Sequence, residues 1–263
     1  MSVISITFGE VAENGPHMER LGIRADDGFS YLDLVHAKWD FEARGFQCEL
    51  INLISAGGVE ELGGEEGPEP AYILIVRNGV EALGGNANKL EREQQRLSFR
   101  GMPPDSKAIF RGVVKNKIAR HNLCFAENAQ EPAYEEGRGR IVPFNEVPLL
   151  KNIRDSLSRF FGPKADALYA EGNYYYDKRK CGIGFHGDAE RRRVVAIRLG
   201  LSFPLHYQWF HRWNSVGKRI ALSLHHGDIY AMSTKAVGTD WKSSSIPTLR
   251  HAAGADKYLA VRR

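Results

Sequence analysis

The chain has 263 residues, 43% of them hydrophobic and 26% charged, with 36 Lys and Arg against 32 Asp and Glu. That is an ordinary globular composition, and a net charge of +4 permits a polyanionic partner without demanding one. No apolar run approaches the roughly 20 residues of a membrane span, and the start MSVISITFGEVAENG lacks a basic-then-apolar leader. Cys48, Cys124 and Cys181 fit neither a zinc spacing nor a disulfide framework, so an intracellular, reducing location in cytoplasm or nucleus is expected.

VISITF (3–8) reads as a short strand. Residues 30–44 read as a helix capped by Ser30 and stopped at Gly45, followed by a strand over 46–54. The stretch 56–69, with Glu60, Glu61, Glu65, Glu66 and Glu69 among glycines, is the best linker candidate. It divides the chain into an N-terminal extension, 1–70, and a main domain, 71–263. A buried strand follows over 71–78, a polar helix over 88–98, a strand over 107–116 and a loop over 126–140. In VPLLKNIRDSLSRFFG (147–162), Leu149, Leu150, Ile153, Leu157, Phe160 and Phe161 recur at helical spacing, and Gly162 ends the pattern. Strand-like pieces then cover 167–176, 181–188, 193–203, 205–210, 218–233, 248–254 and 257–263. The whole reads as α+β, with an antiparallel barrel or sandwich in its second half.

In CGIGFHGDAERRR (181–193), His186 and Asp188 stand two apart. Strand side chains alternate faces, so an imidazole and a carboxylate converge on one spot among small neighbours. Two histidines and one carboxylate make the facial triad that holds non-haem Fe(II) with open coordination positions. The third ligand must come from a distant strand, and His206, His211, His225, His226 and His251 are candidates. His225 and His226 precede the turn-like Gly227-Asp228. His251 is favoured, because the two alanines and the glycine after it leave room for a ligand. Asn173 and Tyr175 share a face of the preceding strand and offer an amide and a phenol to a carboxylate or keto oxygen. Lys257 and Arg263 share a face of the expected last strand, where cations suit a dicarboxylate co-substrate.

The pieces NYY (173–175), HGDAER (186–191), RLG (198–200), HGD (226–228), Trp241 with His251, and KYLAVRR (257–263) appear in an order that resembles the AlkB-like Fe(II)/2-oxoglutarate-dependent dioxygenases. The likeness is strong over 167–263, fainter over 107–166 and loose before that. It implies a double-stranded β-helix (jelly roll) with flanking helices. It also implies Fe(II) on His186, Asp188 and His251, and 2-oxoglutarate on Asn173, Tyr175 and a C-terminal cation. The family carries two arginines six apart there; this chain has Lys257 at the first position, which leaves Arg262 or Arg263 as the other candidates. The implied reaction consumes O2 and 2-oxoglutarate and oxidises an alkylated base in DNA or RNA. For such a substrate, Glu190 is placed to read a base edge. Arg191, Arg192, Arg193, Lys115, Lys117 and Arg120 are placed to follow phosphates, and Tyr134, Trp209 and Trp213 to stack on a base. The competing readings are a hydroxylase of a protein side chain or small molecule, and a non-catalytic nucleic-acid-binding barrel. Nothing in the chain speaks to oligomeric state.

Overall fold

The computed structural model describes residues 2–15, 18–62, 67–97 and 105–261. The first part runs β1 (Val3–Gly9), β2 (Val11–Glu13), β3 (Arg20–Gly22), α1 (Tyr31–Glu42), β4 (Cys48–Asn52), α2 (Leu53–Gly57), β5 (Tyr72–Val76), α3 (Gly79–Ala82) and α4 (Ala87–Gln95). A hairpin of β6 (Lys107–Phe110) and β7 (Val113–Asn116) follows, then β8 (His121–Ala126), β9 (Ile141–Pro143), α5 (Pro148–Ser156) and α6 (Ser158–Phe161). The last part holds β10 (Tyr169–Tyr175), β11 (Gly182–His186), β12 (Val194–Gly200), β13 (Leu205–His211), β14 (Asn214–Leu222), β15 (Ile229–Met232), α7 (Thr234–Val237), β16 (Thr248–Gly254) and α8 (Asp256–Leu259).

The architecture is mixed α+β and mostly sheet. An eight-stranded sheet has the order β4-β5-β15-β12-β1-β10-β8-β9, and a four-stranded sheet has the order β11-β16-β13-β14. No strand pairing joins the two among the described residues. Period-two alternation explains both faces of the larger sheet. Ile4, Ile6 and Phe8 of β1 point with Val195, Ile197 and Leu199 of β12 into a core shared with Leu34, Phe41, Leu150 and Phe160 of the helices. The Phe41 and Phe160 rings stack there at 4.0 Å. On the opposite face, Ile73, Ile75, Val194, Tyr230 and Met232 pack against Tyr207, Trp209 and Leu249 of the smaller sheet. Ser30 caps α1 as the sequence predicts, in a reciprocal capping box with Asp33.

Several expectations need correction. Residues 1–70 are not an extension. β1 lies between β10 and β12 and pairs with both, Ser5 opposite Asn173 on one side and Arg198 on the other. β4 pairs with β5, so the Gly- and Glu-rich stretch connects neighbouring strands of one sheet. The strand expected over 107–116 is a hairpin turned at Arg111-Gly112, both in the left-handed region with φ of 51° and 76°. The helix 147–162 is divided at Leu157. The piece 218–233 is two strands, β14 and β15, that belong to different sheets. The expected last strand, 257–263, instead begins as helix α8, and Arg262 and Arg263 lie outside the described residues. No helix among the described residues is long and apolar enough to cross a membrane.

Candidate metal centre

Pairing of β11 with β16 sets His186 directly opposite His251, with ring centroids 4.4 Å apart. Asp188 lies just past the end of β11, where its backbone N–H donates to the Val237 carbonyl at 3.0 Å. Gly187 permits this path: a Cβ there would sit 2.0 Å from the Gly238 carbonyl oxygen. His186 Nδ1 lies 2.8 Å from the Gly184 carbonyl, which fixes the proton on Nδ1 and leaves Nε2 free as a ligand. Asp188 Oδ1 is 3.4 Å from His186 Nε2 and 3.7 Å from His251 Nε2. All three ligand atoms lie within 4.8 Å of one another. These two imidazoles and one carboxylate are the set drawn from the sequence, and their donor types fit a divalent transition metal.

The surroundings keep Asp188 and His251 in their metal-binding protonation states. Burial opposes the Asp188 carboxylate, but the Arg191 guanidinium and the two imidazoles outweigh it, so the group is held well below the ordinary range. Burial, with His186 alongside, pushes His251 down to about 3, so its imidazole is neutral. Arg191 is the hub. Its Nη2 meets Glu171 Oε2 at 2.8 Å and Glu190 Oε1 at 3.1 Å, and its Nε lies 3.6 Å from Asp188 Oδ2. Arg191 is therefore a buried organiser of three carboxylates and not a phosphate contact.

The centre opens into a cavity of about 680 Å³, a size ordinary for small-ligand sites. Asn173, Tyr175, Arg120 and Glu190 are among the residues that line it. Asn173 Oδ1 accepts from Arg120 Nε at 2.6 Å and from Asn122 Nδ2 at 2.7 Å. Tyr175 is buried against Phe203, with ring centroids 5.0 Å apart. Burial first, and then Asp188, raises the Glu190 carboxyl above its ordinary value. Ser5 and Thr7, from β1, and Tyr230 complete this wall.

Arg198, which in the sequence had only the place of RLG in the resemblance and no site role, also lines the cavity. It is 1% exposed and leaves Nε and Nη1 buried without a hydrogen-bond partner. Its signal was present in RVVAIRLGLSF: Val194, Ala196 and Arg198 alternate onto one face, and only the last is charged.

Other expected site residues lie elsewhere. Lys257 is exposed on α8, with its ammonium 5.0 Å from the Tyr258 ring centroid, and does not line the cavity. Arg192 donates to the Asp26 carbonyl, and Arg193 Nη2 pairs with Asp27 at 2.6 Å, so neither is held for a phosphate. Their backbone N–H groups are held by Glu10. The Tyr134 hydroxyl bonds to the buried Asp105, and burial raises it above its ordinary range. Lys117 is buried 3.8 Å from the same carboxylate. Trp209 is fully buried in the core, donating to the Leu53 carbonyl. His225 contacts Ser202 Oγ at 2.8 Å, and His226 accepts from the Gly200 N–H at 3.0 Å, which takes both away from the triad.

No family model matches the chain. It is 46% identical over 256 residues, 97% of each chain, to the "Uncharacterized protein R156" of Acanthamoeba polyphaga mimivirus. Identity of that extent, with both chains covered nearly end to end, places this chain in the same family as that mimivirus protein.

Proposed function

We propose that the chain is an Fe(II)- and 2-oxoglutarate-dependent dioxygenase of the AlkB-like kind, acting on alkylated bases in DNA or RNA. The observation that carries the reading is the convergence of His186, Asp188 and His251 at the wall of one cavity. The two-sheet sandwich suits a double-stranded β-helix.

The residues then divide the work. His186 Nε2, Asp188 Oδ1 and His251 Nε2 would hold the iron. Arg191 orients Asp188 through Oδ2, 3.6 Å from its Nε, which would leave Oδ1 to face the two imidazoles. Arg198 takes the far carboxylate of 2-oxoglutarate in place of Lys257, and Asn173 and Tyr175 border the same space. Iron with 2-oxoglutarate and O2 supplies the oxidising chemistry, yielding succinate, carbon dioxide and a hydroxylated C–H bond, which on an N-methyl group breaks down to formaldehyde. Glu190 stands at the cavity wall to accept from a base edge.

Anaerobic titration with Fe(II) should show one site in the parent and at least about a tenfold loss in His251→Ala. Succinate release should follow addition of methylated single strands. Unchanged iron binding in His251→Ala sinks the triad. Turnover of a peptide or small molecule with no oxidised base supports the hydroxylase reading instead.

A further inference from the structure

One face of the smaller sheet packs on the larger sheet; on the other, Gln208, Phe210 and Thr248 are also buried, and Trp213, Arg219 and Lys242 are the exposed side chains around them. Tyr207, Trp209, Leu249 and His251 point toward the larger sheet, so Phe210 and Arg250, at alternate positions, point away from it. On this outer face, rings and cations interleave. The Arg250 guanidinium lies 4.0 Å from the Phe210 ring centroid, 5.4 Å from that of Trp241 and 5.7 Å from that of Trp213. Arg219 lies 5.3 Å from the Phe185 centroid, and the Lys242 ammonium 5.6 Å from that of Trp241. The strands GIGFH, LHYQWFH, NSVGKRIAL and TLRHAAG contain no Asp or Glu. Arg250 Nε and Nη2 have no hydrogen-bond partner among the described residues.

The tip of this sheet is strained. Arg212 and Trp213 turn the β13–β14 hairpin with φ of 49° and 69°, both in the left-handed region. Such tips favour Asn-Gly, because a Cβ is disfavoured there. Here the strained position displays Trp213 at 56% exposure. An exposed indole held in a conformation that disfavours it is a mark of use. Trp241 and Lys242 also line the cavity of the metal centre, so the face runs up to the cavity mouth.

We infer that the outer face of the four-stranded sheet binds single-stranded nucleic acid. Bases stack on Trp213 and Trp241, phosphates are drawn to Arg219 and Lys242, and Arg250 holds the rings apart. An acidic protein would satisfy the cations but leave the indole faces without planar partners. A polynucleotide satisfies both. The inference gives the proposed nucleic-acid substrate its path to the mouth, but it requires no chemistry at the metal centre.

The test uses the full chain without added iron, titrated with fluorescein-labelled oligothymidylate at two salt concentrations. Saturable binding, quenched tryptophan fluorescence and weakening with salt are expected. Trp213→Gly suits the left-handed backbone, so it should melt higher than the parent yet bind about tenfold more weakly. Arg219→Glu, at an exposed position, should bind more weakly and flatten the salt dependence. The inference is overturned if the parent does not bind at low salt, or if both variants bind like the parent. Displacement by polyglutamate as effective as by unlabelled oligonucleotide overturns it in favour of an acidic protein partner. Succinate release is scored separately, so the two proposals fail independently.

Discussion

At the residue scale, Arg198 and Arg191 show how burial alone does not tell what an arginine is for. Both are almost completely sealed from water. Arg191 meets three carboxylates, whereas two of the Arg198 nitrogens meet none. The Arg198 guanidinium lies 5.5 Å from the Phe203 ring centroid, but two buried nitrogens without hydrogen-bond partners still cost the fold. Replacing it by an apolar residue of similar length removes that cost. Arg198→Met should therefore leave the unliganded chain as stable as the parent, or more stable by about 1–4 kcal/mol in urea unfolding. The same variant should lose 2-oxoglutarate binding to the Mn(II)-loaded chain in calorimetry. Parent-like binding would place the carboxylate contact elsewhere in the cavity. The three consecutive arginines 191–193 read from the sequence as one basic patch. Arg191 also meets the nearby Asp188 and Glu190, but Glu171, Glu10, Asp26 and Asp27 are far away in the chain, and no local pattern announces those pairings.

At the element scale, β1 decides the most. VISITF is legible as a strand from its alternation, and its apolar side does face the helices. Its place is not legible, because strand pairing is set by non-local contacts. β1 lies opposite residues 169–175 on one edge and 195–200 on the other. Ile6 is fully buried between the sheet and the helices, opposite Gly172 and Ile197. Ile6→Ala should cost about 2–5 kcal/mol in equilibrium unfolding, a core penalty and not that of a peripheral segment. A loss under about 0.5 kcal/mol, as for an ordinary surface substitution, would return β1 to the status of an appendage. The piece 257–263 fails for a related reason. Its residues tolerate a strand, but Gly254, at φ 132° and against Gly182, turns the chain before α8 begins.

At the scale of the whole molecule, the two halves of the chain build one sheet. A fragment covering 71–263 would lack both β1 and β4, and would expose β10 and β12 where β1 had joined them. It should fail to give a cooperative thermal transition, while the full chain melts as a single unit; a cooperatively melting fragment would restore the domain boundary at 70. The sequence by itself determined the α+β character and its sheet-rich second half. It also determined the cap on α1 and the pairing of His186 with Asp188, because each rests on spacing within a few residues. It also singled out His251, from the small residues that follow it. Only the tertiary structure set His186 opposite His251 across two strands and put β1 in the middle of the larger sheet. It likewise turned Arg191 into the organiser of three carboxylates and left two buried Arg198 nitrogens without hydrogen-bond partners at the cavity. The physical reason is the same in each case. Backbone periodicity and capping act over one turn or one strand, whereas strand register and charge pairing are chosen by which distant segments the core brings together.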